Sequence, residues 1–79
     1  MAYNKDKVDE MTLALLYLAT EKGKDGARAW KGFDWETMNR LHEKGFISDP
    51  RGKAKSVVLY EEGFQKAEAL FRKFFEKKN

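Results

Sequence analysis

The chain contains no cysteine, one proline and one histidine. Without thiols it has no disulfide framework and no thiolate metal site, a composition compatible with a reducing cytoplasm. A lone histidine, His42, excludes a paired-imidazole centre and the HExxH zinc motif. No GxSxG, P-loop or GxGxxG pattern is present, and Asp34 with Glu36 or Glu61 with Glu62 are explained as helix starts rather than catalytic carboxylate pairs. Long hydrophobic runs are missing too. The longest, Leu13 to Ala19, is far shorter than the ~20 residues a membrane span needs, and no small-residue cleavage site follows it. The expectation is a soluble, unprocessed, cytoplasmic protein that is not an enzyme, binds no cofactor or metal and stays off the membrane.

What the chain does have is aromatic mass and charge. A single domain over residues 1–79 is expected, and a chain this short buries only ~60% of the surface its unfolded form exposes. Aromatics at 14% of residues, each able to bury roughly 150–250 Å², supply the core that such a length needs. The net charge of +3 is mild, so its distribution matters more than its sum. One basic stretch holds Lys24, Arg28 and Lys31 against Asp25; a second holds Arg51, Lys53 and Lys55 against Asp49. The segment between them, Asp34 to Lys44, is slightly acidic.

Val8, Met11, Leu15, Leu18 and Ala19 recur at helical spacing, and Leu13, Leu16 and Tyr17 add a second apolar face, so a buried first helix is expected. Asp6 or Asp9 is read as its cap and Gly23 as its stop. The glycine-rich Gly23 to Gly32 reads as a loop, with one helical turn at Ala27 to Trp30. Asp34 caps a second helix carrying Trp35, Met38, Leu41 and His42 on one stripe, and Lys44 and Gly45 end it. Phe46 to Ser48 and Ser56 to Tyr60 read as the strands of a hairpin turning at Pro50 and Gly52. In it Val57 and Leu59 face the core and Val58 faces out. A third helix begins at Glu61-Glu62, with Phe64, Ala67, Leu70, Phe71, Phe74 and Phe75 as its apolar stripe.

This order resembles the winged helix-turn-helix superfamily. "LHEKGFI" (Leu41 to Ile47) looks like the end of a recognition helix entering the first wing strand, and "VVLYEEG" (Val57 to Gly63) like the second strand entering the next helix, with Tyr60 where the superfamily often has a threonine cap. More narrowly, "RAWKGFDW" (Arg28 to Trp35), "RLHEKGFISDP" (Arg40 to Pro50) and "GKAKSVVL" (Gly52 to Leu59) resemble a family of small prokaryotic proteins described as a domain of unknown function. The resemblance implies an α+β, winged-helix-like fold: three main helices, a two-stranded wing, and the second helix of the helix-turn-helix reduced or missing. It implies no activity or catalytic residue. Loss of the helix that crosses the DNA backbone bears on groove docking, because the docking geometry depends on it.

Two readings stand for each surface. Arg51, Lys53 and Lys55 on the wing would neutralise phosphates, or they simply solubilise a turn and blunt an edge strand. The outward face of the second helix is expected to hold Thr37, Asn39, Arg40, Glu43 and Lys44; Asn39 and Arg40 are types that read adenine and guanine edges, or the whole is an ordinary solvated face, with Glu36 and Glu43 repelling phosphates. His42 reads as a half-buried, hydrogen-bonded side chain near a helix C-terminus. Trp30 and Trp35 read as core; exposed, they would form a stacking platform beside Arg28 and Lys31. Leu70, Phe74 and Phe75 exceed what one small core covers, with Phe75 the one left over, and mark an interface for a homodimer or another protein. Two functions follow: a nucleic-acid-binding, transcription-related protein contacting duplex DNA through Arg28, Lys31, Asn39, Arg40, Arg51, Lys53 and Lys55, or a non-catalytic interaction module.

Overall fold

The computed structural model describes residues 1–24 and 26–77. Asp25, the acid weighed against the first basic stretch, lies outside the described residues. The order of elements is α1 (Lys5–Leu18), β1 (Glu21–Gly23), β2 (Gly26–Trp30), α2 (Trp35–Glu43), β3 (Ser56–Leu59) and α3 (Glu61–Phe75). Three helices and a three-stranded antiparallel sheet of order β1-β2-β3 make the fold α+β.

Helix α1 starts ahead of both expected caps, with Asn4 as its cap. The Asn4 side chain accepts from the Lys7 N–H at 3.0 Å, which leaves Asp6 and Asp9 inside the helix. It ends without glycine. The Thr20 hydroxyl donates to the Leu16 carbonyl at 2.6 Å and closes the last turn, so Gly23 is free to lie in a strand. Leu13, Ala14 and Leu16 are buried, whereas Leu15 and Leu18 face solvent, so the helix is one-sided rather than apolar all round.

The glycine-rich stretch is a hairpin, not a loop with a helical turn. Gly23 pairs with Gly26, whose φ of +99° suits the turn, and β2 then becomes the central strand of the sheet. The period-2 pattern sits in Ala27-Arg28-Ala29-Trp30. Ala27 and Ala29 pair with Leu59 and Val57 against the core, and Arg28 and Trp30 point away. Alanine fits a strand that packs closely on helices, but its weak β-propensity conceals the strand.

Strand β3 has the expected register: Val57 and Leu59 are buried and Val58 is half-buried. Its main partner is β2, however, and the Phe46 to Ser48 segment is reduced to one bridge, Ile47 to Leu59. The Ser48 hydroxyl accepts from the Val58 N–H at 2.8 Å, and Tyr60 N–H donates to the Phe46 carbonyl at 3.0 Å. The expected two-stranded wing is therefore a loop attached to a three-stranded sheet.

Asp34 caps α2 as expected, accepting from the Thr37 N–H at 3.1 Å and its hydroxyl at 2.8 Å. Gly45, with φ +82°, ends it, and the Phe46 N–H donates back to the Leu41 carbonyl. Met38 and Leu41 reach the core, but Trp35 on the same stripe stays 54% exposed. Helix α3 has Tyr60 at its cap with no side-chain bond to the backbone. It crosses Phe46 so closely that a Cβ on Gly63 would strike the Phe46 carbonyl. Leu70 is buried against α1, while Tyr17 stacks on Phe64 and Phe71 and donates to Glu68 at 3.1 Å.

Candidate functional site

Asp9 lies in the α1–α2 seam, 1% exposed, with two cations on it. Arg40 forks onto it, with Nε 2.9 Å from Oδ1 and the terminal nitrogen 2.7 Å from the same oxygen, and Lys44 Nζ is 2.8 Å from Oδ2. The second terminal-nitrogen contact of Arg40 goes to the Thr37 hydroxyl, which in turn donates to Asp34. Burial alone would raise the Asp9 carboxyl; the hydrogen bonds and charges of Arg40 and Lys44 outweigh it and hold the group below its ordinary value of 3.8. The same hydrogen bond raises Arg40 above its ordinary value. The expected outward placement of Thr37, Arg40 and Lys44 is thereby corrected: Thr37 is buried, and Arg40 and Lys44 tie α2 to α1 through Asp9. Asn39, next to Arg40 in α2, is half-buried.

The sheet's outward face is different in character. Glu21, Arg28, Trp30, Ser56 and Val58 share it, because their neighbours Ala27, Ala29, Val57 and Leu59 face the core. Trp30 is 62% exposed, not core as expected. Its indole lies across the backbone of Gly32, where an added Cβ would fall within the ring, and sits 6.4 Å from the Phe33 ring centre. Arg28 Nε donates to the Ser56 hydroxyl at 3.0 Å across the strands. A groove of ≈ 310 Å³ runs beside them, lined chiefly by Glu21, Arg28, Trp30, Lys55 and Ser56.

The loop from Asp49 to Lys55 is tied to this face by Lys31. Its backbone N–H donates to the Lys55 carbonyl at 3.2 Å, and its ammonium donates to the carbonyls of Pro50 and Gly52 at 2.7 and 2.6 Å. Arg51 is occupied differently: its guanidinium forks onto Asp49 at 3.0 Å, chiefly through a hydrogen bond that lowers the Asp49 carboxyl to about 2. Among the described residues, Arg28, Lys31, Lys53 and Lys55 form no carboxylate ion pair. Of the seven expected nucleic-acid contacts, Arg28 and Lys55 line the groove with Trp30, Lys31 clamps the adjoining loop on which Lys53 is exposed, Arg40 and Arg51 are paired with carboxylates, and Asn39 lies on α2.

On α3, Leu70 is 6% exposed and belongs to the core, which corrects its expected place in an interface. Phe74 is half-buried, with the Lys7 ammonium 4.5 Å from its ring centre, and Phe75 is 42% exposed. The single histidine donates from Nδ1–H to the Ile47 carbonyl at 3.0 Å, the half-buried, hydrogen-bonded role expected of it. Two residues were missed as site members. Asp9 looked like a cap, and only the pairing of an acid on α1 with Arg40 and Lys44 at i, i+4 on α2 would have pointed to its burial. Glu21 carried no signal at all.

Residues 4–77 match the family model described as a domain of unknown function (DUF6429), and the chain belongs to that family. An uncharacterized protein of Sinorhizobium fredii, y4hR, is 49% identical over 75 residues, a span covering 95% of this chain and 97% of that relative. No solved structure matches the chain. No helix among the described residues is long and apolar enough to cross a membrane.

Proposed function

We propose that this domain is a cytoplasmic, non-enzymatic nucleic-acid-binding module of winged-helix type whose binding surface has moved from α2 to the outward face of the sheet. The observation that carries the reading is that Arg28 and Lys55 line one groove with an exposed Trp30, beside the 49–55 loop that bears Lys53 and is clamped by the Lys31 ammonium. Such a surface attracts phosphates by counterion release and offers an aromatic plane at the same place. The winged-helix relation is supported by the order α2, Gly45 turn, β3, α3, with the hairpin β1–β2 standing where the second helix would be. Helix α2 contributes little to binding in this reading, since Arg40 is engaged by Asp9 and Glu36 and Glu43 remain on its solvent side.

Anisotropy titrations of labelled oligonucleotides against salt test it. Affinity falls as salt rises, with a slope of ~0.7 to 0.9 per phosphate contact, and the Lys53→Glu/Lys55→Glu variant weakens binding to every sequence and flattens that slope. No binding at low salt overturns the reading. A second reading, self-association or a protein partner at α3, is favoured by the exposed Phe75 ring, 5.3 Å from Phe71 and 6.3 Å from Phe74. Sedimentation over a range of concentrations distinguishes it: a mass that rises with concentration and reverts in Phe75→Glu supports it, and a constant monomer mass removes it.

A further inference from the structure

We infer that Trp30 is a stacking platform for one unpaired base, so that the ligand of this face is single-stranded nucleic acid rather than duplex; this rests on the proposed nucleic-acid reading and deepens it. Three features of the site lead there. The indole is largely exposed while lying over the Gly32 backbone and in tilted contact with the Phe33 ring. A plane held in this way loses little freedom when a base covers it. Arg28, two residues away on the same face, is aligned by its bond to the Ser56 hydroxyl, and Lys55 lines the same groove. Both cations line the groove together with the indole, and in this reading they meet the phosphates next to the stacked base.

The groove's ≈ 310 Å³ is at the small end of the ~300–1,000 Å³ range of ligand sites, a volume for one nucleotide and not for a helix. A duplex keeps its base faces stacked inside, so an indole on a sheet face cannot reach them without flipping a base out, which costs a few kcal/mol. Nor does α2 offer duplex-groove contacts in compensation, because Arg40 is held on Asp9. Glu21 completes the groove. Its carboxylate repels phosphate and accepts from base N–H groups, so the base edge, not the backbone, turns toward β1.

The test uses the full chain with a labelled 12-nucleotide single strand, a hairpin duplex of the same base composition, and poly-glutamate as competitor. The single strand should bind tighter than the duplex at equal salt. Trp30→Ala should lose roughly 10- to 100-fold in single-strand affinity with an unchanged salt slope, as expected for removal of one stacked base, and Trp30→Phe should keep most of it. Gly32→Ala, which displaces the ring while keeping it, should weaken the single strand as well. In a Trp35→Phe background the remaining indole emission should be quenched on binding. Equal affinity for strand and duplex, with Trp30→Ala unchanged, overturns the stacking inference and leaves the electrostatic reading standing. Absence of binding to either nucleic acid removes both, and poly-glutamate binding as tight as the single strand transfers the face to an acidic protein partner.

Discussion

Arg40 and Asp9 are thirty-one positions apart, and Arg40 Nε stands 2.9 and 3.0 Å from the two carboxylate oxygens of Asp9. That contact decides how α2 is used. It ties the helix to α1 and engages the one arginine that α2 carries. With Lys44 on the same carboxylate, the seam contains a buried acid balanced by two bases. Breaking one partner of such an arrangement leaves a buried charge uncompensated, whereas replacing the whole group by apolar residues need not destabilise.

Asp9→Ala should lower stability by about 1–3 kcal/mol, less than for a fully buried pair because the Arg40 and Lys44 side chains it leaves are 21% and 38% exposed, and Asp9→Leu combined with Arg40→Met should recover a large part of the loss. Urea denaturation midpoints measure both. A double variant as unstable as Asp9→Ala alone would mean that the seam depends on the charges themselves rather than on avoiding an unpaired one.

Acid should act through the same carboxylate. Its folded pKa lies below the ordinary 3.8, so its contribution is present above the unfolded value and is lost as pH falls through the folded one. Stability should decline below about pH 4, where unfolded aspartates take up protons, and Asp9→Asn should be less stable at neutral pH with a shallower acid dependence. Asp49, lowered to about 2 by Arg51, titrates in the same window but is exposed, and Asp49→Asn should leave the acid limb nearly unchanged.

The two ends of α3 should respond in opposite ways. Leu70→Ala should cost roughly 2–5 kcal/mol, because Leu70 is 6% exposed in the core. Phe75→Glu should keep the helical circular dichroism and the melting midpoint, since its ring is 42% exposed. At the helix start, Gly63→Ala should destabilise by about 1–3 kcal/mol, for the new methyl meets the backbone carbonyl of Phe46, which cannot swing away as a side chain would.

Much of the fold was legible from local chemistry. The Asp34 cap, the Gly45 stop, the Val57-Val58-Leu59 alternation and the α3 stripe each depend on neighbours within one turn or one strand, and each is found where the residues place it. What escaped depends on distant partners. The β1–β2 hairpin is stabilised by pairing with β3, some thirty residues later, and its alanines carry little strand preference of their own. Trp30 resembled a core residue because tryptophan usually is one; its exposure follows from the strand phase that places Ala29 inward. Arg40 looked solvent-facing because helical spacing alone does not reveal a carboxylate on another helix. The basic cluster was half legible: its residues were named, but Arg51's local pairing with Asp49 and the Lys31 clamp are features of the folded loop.

Amide chemical-shift mapping distinguishes the proposed sheet face around Trp30 from α2 as the surface that meets nucleic acid. On titration of a short single-stranded oligonucleotide at low salt, shifts are expected at Arg28, Lys31, Lys53 to Ser56 and above all at the Trp30 indole N–H, with Glu36, Asn39 and Glu43 unmoved. Shifts centred on α2, or a spectrum unchanged at saturating oligonucleotide, would contradict the proposal.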